Sequence, residues 1–280
     1  MSFKSLFLLD FRHFPKFHGV MPRLALLALL LFAPLPALAW GAQGHEIAAA
    51  IALADLTPAA RAQVAALLGS DAMLVHDSNW ADEIREQRPQ TGDWHFVDIP
   101  LDAPGYDARR DCPAGACVVA QIGDDLHRLA DRRLPPPVRA EALRFLIHFV
   151  ADIHQPLHTE DNNDRGGNAV RVILGREHSN LHHVWDTSLV QAVGFDTGEI
   201  AGEISRGITP AQRKQWQAGT PAQWANESHR LARDEIYAQV GDRRSLRLPR
   251  GYAYAEAPVV QMQLAKAGVR LAWLLNSAFN

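Results

Sequence analysis

From Gly44 onward, apolar residues recur at intervals of three and four far more often than they alternate, which is the signature of helices rather than strands. Read this way, the chain predicts helices over 45–56, 58–68, 79–87, 118–133, 137–153, 181–190, 210–216, 221–240 and 255–277. The second is opened by Thr57 as N-cap, with Pro58 at the first helical position. The proline run 135–137 divides the fourth from the fifth. Strand signals are confined to 94–99 and to 169–174, the latter following Gly166-Gly167-Asn168 as one arm of a small hairpin. The expected fold is all-α, a single compact multi-helix domain with at most a short β-hairpin. No internal repeat, heptad pattern or long low-complexity linker interrupts it.

The N-terminal end has a different pattern. Residues 24–33 are uninterrupted apolar positions, too few for a membrane span of roughly 20. Arg23 precedes them and Ala37-Leu38-Ala39 follows, as in a secretory signal with its peptidase site. The expectation is a leader over 1–39, with Met21 as a plausible true start, cleavage before Trp40, and one domain over 40–280 in the periplasm or outside the cell. Stable membrane association is not expected, and a monomer is the default. Without the leader the chain carries 24 basic and 30 acidic residues, so the sequence offers no basic stripe of the kind that marks a duplex-binding protein. Cys112 and Cys117 are the only cysteines. In an exported chain they are expected to form a short-loop disulfide.

The informative chemistry is histidine and aspartate. His148 and Asp152 are four residues apart on one predicted helix, and His182 and Asp186 repeat that spacing on another, which puts each pair on one helix face. His158 follows Pro156, where the first of these helices should end. By chance about one His-x-x-x-Asp pair is expected in such a chain, so either pair alone means little. Phe145, Leu146, Ile147, Phe149 and Val150 surround His148 and predict burial. A buried imidazole and carboxylate need partners, and a shared cation would satisfy both. Imidazole and carboxylate without thiolate suit zinc, and less specifically manganese or iron. Spacing alone leaves open the alternative of hydrogen-bonded core pairs.

A set of short motifs then acquires meaning through its order: Trp40-Gly-x-x-Gly-His45, Trp80-Ala-Asp82 with Arg85, Trp94-His95-Phe96-Val-Asp98, Phe145-Leu-x-His148 through Asp152, Gln155-Pro-Leu-His158, Gly166-Gly-Asn168 and Asn180-Leu-His182-x-x-Trp185-Asp186. In these the sequence resembles the secreted trinuclear-zinc single-strand, or type I, nucleases, within the zinc-dependent phospholipase C and nuclease superfamily. The resemblance runs from Trp40 to about Leu189. It implies three Zn2+ per chain: one on Asp82, His95, His148 and Asp152; one on His158, His182 and Asp186; and one on His45, bridging Asp152, and the α-amino nitrogen and carbonyl of Trp40. It further implies Arg85, Asp82 and Asp152 in catalysis, and Phe96 and Asp98 in stacking and hydrogen-bonding a nucleobase. The implied activity is hydrolysis of single-stranded RNA and DNA to 5′-phosphate products, with 3′-nucleotidase activity. A phospholipase C acting on choline phospholipids and a non-catalytic zinc-binding protein are the rival readings. His76, His127, His178 and His229 are expected to be exposed or locally hydrogen-bonded, His183 to face away from His182, and His154 to serve packing or support.

Overall fold

The computed structural model describes residues 40–280. The predicted leader and the alternative start at Met21 lie outside the described residues. Helix α1 (Ala42–Ala54) is followed by α2 (Pro58–Leu68), which the Thr57 side chain caps by accepting from the Ala60 amide. Two short helices, α3 (Met73–His76) and α4 (Trp80–Glu83), flank a 3-10 turn over Asp77–Asn79. The predicted helix over 79–87 is therefore shorter than expected and followed by irregular turns. Then come α5 (Ala108–Asp111), α6 (Val118–Ala130) and the largely buried α7 (Pro136–Asp152).

The segment expected as one helix over 181–190 is α8 (Leu181–His183), a π-type turn over Val184–Ser188, and α9 (Leu189–Val193). A second π-type turn, Ala232–Ile236, divides α12 (Pro221–Leu231) from α13 (Tyr237–Val240), after α10 (Thr197–Gly207) and α11 (Pro210–Trp216). Helix α14 (Tyr252–Ala278) closes the chain. Its packing on α1 depends on Gly268, where a Cβ would fall 2.5 Å from Ile51 Cβ.

The strand content exceeds the expected hairpin. β1 (Arg171–Leu174) pairs antiparallel with β2 (Glu177–Asn180), but β3 (Ser245–Arg247) adds in parallel on the other side of β1. The segment 94–99 is not a strand. Trp94 and His95 close a 3-10 turn, and the extended residues after them bond singly to neighbouring loops: Val97 N to the His158 carbonyl, and Asp161 N to the Ile99 carbonyl.

Two apolar cores flank α7. One gathers α2, α6 and one face of α7 around the stacked rings of Phe145 and Phe149, whose centroids are 5.2 Å apart. The other gathers Trp40, Trp185 and the middle of α14. Full burial of each such aromatic contributes about 1.5–3 kcal/mol. The carboxyl end of α7, which carries His148 and Asp152, is thereby held rigidly in the interior.

Candidate metal centre

Three groups of donor atoms, each within 4.8 Å of one another, are brought together: His45, His148 and Asp152; Asp82, His95 and His148; and His158, His182 and Asp186. Asp152 stands between them. One carboxylate oxygen lies 3.1 Å from His95 Nδ1 and 3.2 Å from His148 Nε2, and the other lies 3.4 Å from His158 Nδ1 and 3.6 Å from His45 Nε2. Asp82 approaches His95 Nδ1 at 3.6 Å and His148 Nε2 at 3.7 Å. Asp186 is 3.0 Å from His182 Nε2 and 3.7 Å from His158 Nε2. All five imidazoles are buried, as are Asp152 and Asp186.

Backbone groups fix several of these rings. His148 Nδ1 donates to the Ser78 carbonyl at 2.7 Å, and His182 Nδ1 to the Gly166 carbonyl at 2.6 Å. Each bond leaves the Nε2 lone pair aimed at the cluster, as a carbonyl behind a metal-binding histidine does by fixing its tautomer. Gln155 donates to Asp186 Oδ1 at 2.5 Å while its own carbonyl oxygen accepts from Leu157 N. The sequence motif contained Gln155 but gave it no role; its place before a proline and three residues before a ligand-type histidine is the signal that was there.

Buried atoms of these residues lack hydrogen-bond partners: both ring nitrogens of His45, His95 Nε2 and Asp152 Oδ1. Leaving such groups unsatisfied in the interior is costly unless something else takes the lone pairs. Burial, then the neighbouring His148, holds His45 well below the usual imidazole range. Burial also works against a charged His148, but Asp152 and Asp82 outweigh it and push that ring up to about 9, which places on Nε2 a proton that a bound cation would displace. Imidazole and carboxylate donors that crowd together in this way fit divalent cations.

Trp40 is fully buried at this centre, and its indole donates to the carbonyl of Ala151, the neighbour of Asp152, at 2.9 Å. Arg85 Nη1 lies 3.2 Å from Asp82 Oδ1 at the partly open side. Phe96 and Asp98 follow His95 in extended backbone. Alternation buries Val97 and Ile99 and turns Phe96 and Asp98 outward together. Although Asp98 meets solvent on its outer side, the surrounding chain partly shields its carboxyl, and with Asp161, Asp93 and Asp111 nearby it is pushed up to about 6. Cys112 and Cys117 form the expected disulfide, and Val118 N, next to it, donates to the Phe96 carbonyl at 3.0 Å.

The other histidines stay out of the centre. His127, His178 and His183 are exposed, and His76 pairs with Asp77 at 2.9 Å. His154 is a packing residue between the Val150 carbonyl and Arg270 Nη1. His229 departs from expectation. It is fully buried and lies between the carbonyls of Thr159 and Ala103, far away in sequence, because α12 packs against the two segments that carry them.

Comparison with known proteins agrees with this geometry. Residues 40–280 match the model of the S1/P1 nuclease family. The chain is 32% identical to Endonuclease 2 of Arabidopsis thaliana over 86% of its own length and 90% of that protein. It is 31% identical to Nuclease P1 of Penicillium citrinum, with 85% and 97% covered, and 30% identical to Nuclease S1 of Aspergillus oryzae, with 84% and 90% covered.

Proposed function

The chain belongs to the S1/P1 nuclease family and is a hydrolase of phosphodiester bonds, and from that premise we propose that it is an exported, zinc-dependent nuclease of single-stranded RNA and DNA. The observation that carries the metal assignment is the convergence of five buried imidazoles with Asp82, Asp152 and Asp186, several of their donor atoms having no hydrogen-bond partner. Asp82, His95, His148 and Asp152 would hold one zinc, and His158, His182 and Asp186 a second. His45, Asp152 and the backbone amine and carbonyl of Trp40 would hold a third.

Bound divalent zinc supplies a water activated near neutral pH and an electrophile for phosphoryl oxygens. The protein's own groups do the rest. Arg85 faces the open side and offsets charge that builds on the equatorial oxygens of the phosphate, while Asp82 holds the guanidinium in place. Phe96 offers a ring to one base, worth about 1–3 kcal/mol in stacking, and Asp98 an acceptor to its edge. A base inside a duplex reaches such a platform only after unstacking, which favours single strands. Departure of the 3′-oxygen leaves a 5′-phosphate, and the same geometry accepts a terminal 3′-phosphate.

The test is elemental analysis of protein beginning at Trp40, combined with cleavage of single-stranded and duplex substrates and end-group analysis. Expected results are about three zincs per chain, preference for single strands, and 5′-phosphate ends. Fewer than two zincs in active protein, 3′-phosphate ends, or hydrolysis of phosphatidylcholine without that of polynucleotide would overturn the reading.

A further inference from the structure

We propose that the solvent face of the three-stranded sheet is a second surface for the substrate, engaging the phosphates of a single strand that continues beyond the metal centre; this rests on the nuclease reading above. The sequence shows an acidic chain, but the fold separates its charges. Residues 165–180 and 243–250 bring seven arginines together, Arg165, Arg171, Arg176, Arg243, Arg244, Arg247 and Arg250, against a single acidic residue, Glu177. All seven are exposed. Arg244 pairs with buried Asp164 at 3.0 Å, so its charge is met within the fold, and Arg243 is held to the end of α13 by the Val240 carbonyl at 2.7 Å.

Register decides which face they occupy. Arg171 pairs with Asn180 on one side and Ser245 on the other, and Ile173 pairs with His178 and Arg247. Paired residues share a face, and neighbours along a strand alternate. Arg171, Arg247 and His178 thus lie on one face with Ile173, while buried Val172 points the other way into the core. Arg176 follows the turn at Gly175, and Arg250 follows β3; both line a cleft of about 600 Å³ with Arg247, Leu248 and Tyr252 and no acidic side chain. Among the described residues neither Arg176 nor Arg250 has a carboxylate partner, and Arg247 donates only to the Gly175 carbonyl. Unpaired guanidinium groups are suited to phosphate through paired N–H donors.

The open end of the hairpin, where Arg171 pairs with Asn180, adjoins the centre. β1 leaves the Gly166-Gly167 turn, whose Gly166 carbonyl holds His182. β2 delivers Asn180, whose side chain caps α8 by accepting from His183 N at 2.7 Å. Across the sheet base, Trp185 donates to the Tyr252 hydroxyl at 3.1 Å, and Tyr252 lines the cleft. A strand emerging beside His182 therefore meets Arg171 first, at the open end of the hairpin, and Arg247 on the same face next, before the cleft at the turn end that Arg247 shares with Arg176 and Arg250. None of the residues in β1, β2 and β3 is aromatic, so the sheet engages backbone phosphates and is indifferent to base sequence. This answers how a globally acidic protein draws in a polyanion.

The experiment compares the parent with the variant Arg171→Gln, Arg176→Gln, Arg247→Gln, Arg250→Gln. Each is assayed on a 20-nucleotide single strand and on a dinucleoside monophosphate, between 50 and 200 mM salt. For the long substrate KM rises about tenfold at the lower salt, and the salt dependence becomes shallower by roughly 0.7 log units per log unit for each phosphate no longer neutralised. For the short substrate kcat and KM stay with the parent. Unchanged KM and slope on the 20-mer overturn the proposal, as does equal loss on both substrates, which would mean that the arginines support the metal centre. Loss of binding to anionic phosphatidylglycerol vesicles without any change on the 20-mer would assign the face to a membrane and also overturn it. If the parent cleaves neither substrate, the nuclease reading fails. Fluorescence anisotropy of a labelled 20-mer on chelated protein then decides the surface alone, with weaker binding by the variant expected and equal binding refuting it.

Discussion

Replacing Asp152 with Asn keeps the shape of the side chain and removes its charge, at a position with no solvent exposure and four imidazoles between 3.1 and 3.6 Å. Taking one member out of a buried ionic network costs about 3–5 kcal/mol, because the partners keep their desolvation penalty without the compensating charge. In a chain of this size each kcal/mol moves Tm by about 2–4 °C, so a fall of about 6–20 °C is expected. Metal adds a second effect. A site held at a hundred times its Kd stabilises the folded state by about 2.7 kcal/mol, and Asp152 stands close to more than one donor group. Scanning calorimetry of parent and Asp152→Asn, each with zinc and with chelator, separates the two contributions. The parent should fall sharply in Tm on chelation, whereas the variant starts lower, responds less and carries less metal. A variant with the parent's metal content and the parent's response to chelator would refute the argument that this carboxylate organises the centre.

Phe96→Ala should lower kcat/KM on single-stranded DNA about 5- to 150-fold, the equivalent of about 1–3 kcal/mol of stacking, with metal content unchanged; loss of metal would instead make Phe96 a structural residue. Asp125 is buried with Oδ2 unpartnered, and burial, opposed by Arg128, pushes its carboxyl up to about 7. The native state therefore keeps a proton that the unfolded state releases, and stability falls as pH rises from about 4 to 7; Asp125→Asn should abolish that fall and raise Tm at pH 8 relative to the parent, and an unaltered pH profile by calorimetry would count against it. Gly44→Ala should destabilise, although alanine is favoured over glycine in a helix by about 1 kcal/mol, since the new Cβ would sit 2.9 Å from Trp40 Cβ; a higher Tm with full metal content would show that Trp40 can move aside.

The features legible in the sequence were those with a local cause. Helix α2 runs over the residues predicted because Thr57 and Pro58 mark its start and the helix stops at Gly69. The i, i+4 pairs met as expected, even though His182 and Asp186 are joined through a π-type turn rather than a regular helix. Helix α10 was hidden by Gly198, Gly202 and Gly207, which dilute its pattern; its buried face is only Ile200, Ala201 and Ile204. β3 is three residues long and gains its partner some seventy residues away, so no local pattern announces it. The same distance concealed the arginine face. Each stretch contributes only a few basic residues, and only parallel pairing of β3 with β1 assembles them. In the opposite sense, 94–99 has the composition of a strand, yet its backbone hydrogen bonds go one at a time to the loops around His158 and Asp161, and the segment carries His95 into the cluster while Phe96 and Asp98 turn outward.

The motif Trp40-Gly-x-x-Gly-His45 explains why two helix-borne pairs do not by themselves make this centre. Gly41 N donates to the carbonyl of Asp186 at 2.8 Å, and a Cβ on Gly41 would stand 2.7 Å from Thr187 Oγ1. Trp40 reaches in the other direction, to Ala151 beside Asp152, and the Gly41 carbonyl then accepts from Gly44 N at 2.7 Å as α1 begins. The six residues up to His45 are therefore clamped between the end of α7 and the π-type turn that holds Asp186. That wide turn leaves the Asp186 carbonyl available to Gly41 while its carboxylate faces His182, so a single residue ties backbone to backbone and side chain to centre. His45 is stacked on His148 with ring centroids 3.8 Å apart, and both its nitrogens are buried without hydrogen-bond partners; the clamp holds the ring in place, and a cation on one nitrogen would relieve part of that cost. Assembly of residues 40–45 and occupancy of the proposed metal centre would thus be one equilibrium, in which a change at Gly41, Gly44 or Trp40 acts on Asp152 and Asp186 through the backbone without touching either side chain.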